Sequence, residues 1–143
     1  NKEFQLSQKY LELAWYSKTI DGDGVSFLAY LYQRNGHYAQ AIRLYKEALN
    51  FDYYNKYNIG NALGSIYAQR GQYDVAIKNI VSSVVMAELA DDVASRDYYK
   101  IRLAKLYRKI GRIDMSQRIA KEVWAGLPID SNLKIETQRL IHE

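Results

Sequence analysis

Between Leu28 and Leu49 the apolar positions follow helical spacing twice, with one break between the two stretches. Leu28, Ala29 and Tyr32 share a face up to Gly36, and Tyr38, Ala41, Ile42, Tyr45, Ala48 and Leu49 take up the same spacing beyond it. The pattern predicts two amphipathic helices folded back on one another. It returns as Leu63, Gly64, Tyr67, Gly71, Tyr73, Ala76, Ile77 and Ile80, and again as Leu103, Ala104, Tyr107, Gly111, Ile113, Ser116 and Ala120. The turn glycines therefore lie 35 and then 40 residues apart, which marks a repeat protein. A glycine at the end of a helix takes the left-handed conformation that stops it, and small residues let two helices approach closely. The residue after each turn, Tyr38 or Tyr73, is placed to fill the space between neighbouring units.

Outside these units the pattern continues in fragments. Phe4, Ser7, Leu11 and Ala14 repeat the spacing of Tyr38, Ala41, Tyr45 and Ala48, so Glu3 to Lys18 is expected to be a second helix without its first, or else a capping helix. The segment from Asp21 to Gly24 alternates acid and glycine. It fails as a calcium loop, because Val25 and Ser26 stand where an oxygen ligand and a glycine are needed, and it is expected to be a turn with Asp23 as helix N-cap. The link from Asn50 to Lys56, with Tyr53 and Tyr54, is expected to be slightly loose. Val84 to Tyr99 contains neither proline nor glycine, which predicts two helices about a turn longer than the others, the second capped by Asp92 or Ser95. After Pro128, Asp130 or Ser131 is expected to cap a last helix reaching about Ile141, with Leu133, Leu140 and Ile141 as its apolar contacts.

On these residues the chain resembles the tetratricopeptide repeat family. Val25, Leu28, Ala29, Tyr32, Gly36, Tyr38, Ala41, Tyr45 and Ala48 stand at the family's signature places. The second unit has Gly60, Leu63, Gly64, Tyr67, Gly71, Tyr73, Ala76, Ile80 and Ser83 there, while the third departs with Lys100, Ile113 and Ser116 and alone keeps the closing Pro128. The resemblance implies an all-α, right-handed superhelical solenoid of antiparallel helix pairs, about seven helices in one domain. Residues 1–19 form the second helix of a truncated repeat or a cap, 22–55 repeat one, 57–90 repeat two, 92–128 repeat three, and 130–143 a capping helix or half-repeat. A chain that starts in mid-repeat is expected to be a fragment of a longer protein.

Composition narrows the function. The 143 residues are 48% hydrophobic, enough for a continuous core, and with one proline the helices are expected to run uninterrupted. Without cysteine there is no disulfide framework and no thiolate chemistry. No apolar run approaches the roughly 20 residues that span a bilayer, so the segment is expected to be soluble, with the cytoplasm favoured. The two histidines, His37 and His142, belong to no nucleophile, metal or phosphate motif. Gly60 to Ser65 lacks the strand and lysine of a phosphate loop and is explained by packing. No enzymatic activity, cofactor or metal is expected.

What remains is surface. In the resembled family the first helices of successive units line a concave groove that holds extended peptides or partner helices. Counted from the turn glycines, that surface takes Ser26, Phe27, Tyr30 and Arg34 from the first unit and Asn58, Asn61, Ala62, Ser65 and Gln69 from the second. The third contributes Tyr98, Ile101, Arg102, Lys105 and Lys109. The expected peptide-binding set is Phe27, Tyr30, Asn58, Asn61, Ser65, Gln69, Tyr98, Arg102, Lys105 and Lys109. It runs from aromatic, through amide and hydroxyl, to basic, which suits an extended and acidic ligand. The family's chaperone-tail clamp needs a lysine and an asparagine where Ser26 and Tyr30 stand, so that ligand is not expected. The expected role is a scaffold or adaptor binding a protein partner. One alternative is a peptide-sensing module of a larger transcriptional or signalling regulator. Another is nucleic-acid contact through Arg96 to Arg112, where seven cations face one acid, Asp97, although the net charge is only +4. Self-association through the terminal helices is also expected, from Phe4, Leu11 and Ile141.

Overall fold

A computed structural model describes residues 2–52, 56–128 and 131–142. It holds eight α-helices among them, one more than the roughly seven expected: α1 Lys2–Tyr16, α2 Gly22–Arg34, α3 Tyr38–Ala48, α4 Asn58–Gln69, α5 Tyr73–Leu89, α6 Val93–Lys109, α7 Ile113–Gly126 and α8 Asn132–His142. Each helix packs mainly on its neighbours in sequence, so the molecule is a stack of antiparallel pairs. The core follows the stack in three connected clusters, one around Leu28, Leu44 and Ile66, one around Ile80, Tyr99 and Leu103, and one around Ile101, Ala120 and Leu140.

The turns repeat one hydrogen-bond pattern. Gly36, Gly71 and Gly111 sit at φ of 78°, 74° and 80°. In each, the amide three places past the end of the helix donates five residues back, from His37 to the Tyr32 carbonyl at 2.9 Å, Gln72 to Tyr67 at 2.9 Å and Arg112 to Tyr107 at 2.8 Å. This arrangement satisfies carbonyls that the end of a helix leaves without partners. It recurs after α1 and α5, where the left-handed residues are Lys18 at φ 55° and Asp91 at φ 53°. Neither is a glycine, so although breaks were expected near both places, their left-handed geometry was not foreseen.

The interior glycines of α4 are packing sites. A Cβ on Gly64 would lie 2.5 Å from Ile80 Cγ1 and 3.1 Å from the Ala76 carbonyl, and one on Gly60 would strike the Asn79 carbonyl and Ser83 Oγ. These two positions let α4 lie directly on the backbone of α5. The expected lengthening is present, since α5 and α6 have 17 residues each against 11 and 12 for α3 and α4.

The starts of α2, α6 and α8 are held by acidic or hydroxyl side chains, while those of α3, α4, α5 and α7 have no side-chain cap. Asp92 accepts from the Ser95 amide at 3.0 Å and its hydroxyl at 2.8 Å, and the Leu133 amide donates to Ser131 Oγ at 3.3 Å. At α2 the expectation is corrected: Asp21, not Asp23, caps the helix, accepting from the Gly24 amide at 2.8 Å. Gly22 already has helical geometry, which moves the cap two places outward and leaves Asp23 in the first turn beside the helix's positive end. The link residues Tyr53 and Tyr54 and the cap candidate Asp130 lie outside the described residues.

Candidate functional site: the face of the first helices

Helices α2, α4 and α6 present their exposed sides to one another and form two hollows along the inner face. The first, of about 400 Å³, is bordered by Phe27 and Tyr30 of α2, Asn58 and Asn61 of α4 and Tyr98 of α6. The second, of about 280 Å³, is bordered by Ser65 and Gln69 of α4 and Arg102, Lys105 and Lys109 of α6. The ten residues singled out in the sequence thus fall into two groups of five on adjoining parts of one surface. The division comes from helix geometry, because Asn58 and Asn61 lie about two turns from Ser65 and Gln69 on the same face of α4.

The first hollow is aromatic and uncovered. Phe27 is 45% exposed, Tyr30 38% and Tyr98 45%. Phe27 and Tyr30 stack at 6.1 Å between centroids and 16° between planes. Arg34 lies over the Tyr30 ring at 5.9 Å and donates to its hydroxyl at 3.3 Å, so the cation stays beside the aromatic pair. The floor is polar. Tyr99 donates its hydroxyl to the Asn58 Oδ1, while the Asn61 Oδ1 is buried and accepts no hydrogen bond. Burial, then the neighbouring Tyr57 and Asp92, push the Tyr99 hydroxyl up to about 12, so it remains a neutral donor at ordinary pH.

The second hollow is basic, though its charge is partly neutralised. Arg102 reaches across to α4 and donates to Ser65 Oγ at 2.7 Å, and Ser65 donates onward to the Asn61 carbonyl at 3.0 Å. Lys105 is ion-paired with Glu136 of α8, and Lys109 lies 5.5 Å from the centroid of the Tyr73 ring. The sequence missed Glu136 as a neighbour of this cluster, since nothing local ties it to a lysine one helix pair away. Asn132, Ile135 and Arg139 of α8 likewise border a hollow with Lys105, so the inner face continues past α6. Ile135 is 66% exposed there, and no local pattern in the sequence pointed to it.

Ile101 is a correction. It was expected on the groove, yet it is only 2% exposed and packs with Ala120, Val123 and Leu140, because α8 lies against this side of α6.

The cations of Arg96 to Arg112 do not form one stripe. Arg96 pairs with Asp97 at 2.8 Å, Lys100 with Glu122 of α7 at 2.6 Å and Lys105 with Glu136 of α8, while Arg108 donates to the Leu140 carbonyl at 3.4 Å. They radiate around α6 to several partners. Among the described residues no three histidines or acids come together in a metal-binding group, and no helix is long and apolar enough to cross a membrane.

The family model for the tetratricopeptide repeat matches residues 25–53, the first helical hairpin. Among solved structures the chain is similar to BtubC (BKLC) from P. vanneervenii, with a TM-score of 0.78 and 20% identity over 96% of this chain and 61% of that one. It therefore spans less than two thirds of that protein. It is also similar to a putative kinesin light chain from Podosopora anserina with nearly identical TPR-like repeats, at a TM-score of 0.76 and 17% identity over 98% and 74% of the two chains. A third likeness is SycD, a type III secretion translocator chaperone of Yersinia enterocolitica, at a TM-score of 0.65 and 20% identity over 84% and 87%. No match was found among curated proteins. The tetratricopeptide-repeat resemblance and the all-α, right-handed solenoid of helix pairs are both borne out. The fold and the repeat match support a protein–protein interaction module.

Proposed function

We propose that the chain binds an extended peptide or partner helix along the inner face of α2, α4 and α6, with the ligand's apolar side chain on Phe27 and Tyr30 and an acidic group toward Arg102 and Lys109. The observation that carries this reading is the stacked, uncovered aromatic pair beside a polar floor, continuous along α4 with the cationic hollow. Exposed aromatics offer flat apolar area at low entropic cost, and the amides of Asn58 and Asn61 suit a peptide backbone. Lys105, held by Glu136, serves the ligand only by exchanging partners, so Arg102 and Lys109 carry most of the attraction.

A peptide library read by fluorescence anisotropy tests the proposal. Bound peptides should be enriched in aromatic and acidic residues, Arg102→Glu should abolish binding, and Tyr30→Ala should weaken it about tenfold or more. An oligonucleotide titration at two salt concentrations is the contrasting arm. Tight, salt-sensitive oligonucleotide binding with no peptide hits, indifferent to Tyr30→Ala, would overturn the reading in favour of nucleic acid. The scattered, ion-paired cations around α6 argue against that outcome.

A further inference from the structure

The second helices of the pairs, α3, α5 and α7, turn their outer sides to solvent, and α5 differs from the other two. On α3 the exposed positions include Gln40, Arg43 and Lys46, and on α7 they include Asp114, Arg118, Lys121 and Glu122. On α5 every exposed position between Lys78 and Glu88 is apolar or small: Val81 is 39% exposed, Val85 47% and Ser82 is exposed between them, with Leu89 at 82% just beyond. Val81, Val85 and Leu89 lie four residues apart, so they form one ridge along the helix. A bare ridge in the middle of an otherwise charged outer surface needs a cover.

We propose that this ridge is a self-association surface on which α5 of one copy packs antiparallel against α5 of a second. The charges at its ends carry the choice of partner. A two-fold axis passing beside residue 83 places Val81 of each copy opposite Val85 of the other, and the same register places Lys78 opposite Glu88 at both ends. The α5 face is thus complementary to itself, apolar in the centre and oppositely charged at its two ends, as an isologous interface requires. Neither Lys78 nor Glu88 is in ion-pair contact within one copy among the described residues, although Arg96 of α6, itself paired with Asp97, lies close enough to Glu88 to feel its charge. Ser82, beside the axis, is small enough for the helices to approach.

One helix pair covers less than the roughly 1,200 Å² at the lower bound of stable interfaces, so the dimer is weak and depends on concentration. It is independent of the inner-face groove and leaves that face open in both copies.

Sedimentation equilibrium on the chain over a wide concentration range tests the proposal. The expected result is a monomer–dimer equilibrium that Val85→Glu shifts by at least tenfold toward monomer, with circular dichroism unchanged because Val85 supports no core contact. Lys78→Glu and Glu88→Lys should each weaken the dimer, and the two together should restore it, since exchanging both charges recreates the pair. A wild-type chain that stays monomeric at all concentrations would overturn the proposal. So would a dimer that ignores Val85→Glu but is lost with Leu13→Glu, which would place the contact on α1, and so would failure of the double charge exchange to recover association.

Discussion

The junction of α4 with α5 and that of α1 with α2 and α3 are held by different physics. At the first, Gly60 and Gly64 bring two helices into backbone contact, and α5 buries Ala76, Ile80, Ser83, Val84 and Ala87. At the second, α1 contains no fully buried residue; Leu11 and Trp15 pack against the edge of the core, and side-chain hydrogen bonds complete the contact. Trp15 donates to Glu47 at 2.8 Å, Tyr32 to Glu12 at 2.7 Å and Asn35 to Gln8 at 2.9 Å, with Arg43 5.3 Å from the Trp15 ring centroid. Meanwhile Leu6, Tyr10, Leu13 and Tyr16 are all more than half exposed. Close packing makes the middle of the solenoid one cooperative unit, whereas a thin apolar contact and hydrogen bonds at most partly buried leave α1 able to open by itself.

The largest effect should come from filling the glycine contact. Gly60→Val would drive a branched side chain into the Asn79 carbonyl and Ser83, neither of which can retreat without moving α5. A loss of more than about 3 kcal/mol is expected, from overpacking and separation of the helices. Chemical denaturation should show it, while Leu13→Ala in α1 stays within about 0.5 kcal/mol of wild type. Equal losses in both variants would erase the distinction between the two junctions.

Next in size is Gly71→Val. No neighbour lies within 4 Å of a Cβ built there, so packing is not at issue. The cost is that of holding a β-branched residue at φ near 74°, about 1 to 2 kcal/mol, again readable by denaturation. A wild-type midpoint would mean that this turn does not hold its left-handed geometry in solution.

These glycines were the most legible part of the sequence, because their conformational role is written in a single residue. The length of α5 and α6 was legible for the opposite reason, since no proline or glycine stands between Val84 and Tyr99. The left-handed geometry of the turns at Lys18 and Asp91 was hidden, because residues with a Cβ give no signal for it, although breaks near both were expected. The inner-face register came through for ten residues but not for Ile101, whose burial depends on where α8 lies. Side-chain pairs between helices, such as Lys100 with Glu122, were beyond reach, because sequence spacing within one helix says nothing about facing residues on another.

Smaller again is the loss of one α1 hydrogen bond. Tyr32→Phe removes the donor to Glu12 and should cost about 0.5 to 1.5 kcal/mol of α1 docking. The Tyr32 hydroxyl is held above its ordinary range by partial burial and by Glu12, so it keeps its proton and donates throughout the neutral range. Hydrogen exchange should therefore speed up in the α1 amides while those of α5 stay protected. Faster exchange in both helices would mean that α1 and the centre unfold together.

The smallest effect sharpens the comparison most, because the same turn ends both α1 and α5. Lys18 and Asp91 each carry a left-handed backbone that glycine adopts without strain, and glycine costs back part of that gain through greater freedom in the unfolded chain. The net stabilisation of either substitution is expected to be about 0.5 kcal/mol. Asp91→Gly lies between two core helices, so its gain should appear in global unfolding as a higher midpoint. Lys18→Gly acts on a helix that opens locally, so its gain should slow exchange in α1 and leave the global midpoint where it was. If Lys18→Gly raised the midpoint as much as Asp91→Gly, α1 would have to belong to the cooperative unit, and its hydrogen bonds would be holding it as firmly as the glycine contacts hold α4 to α5.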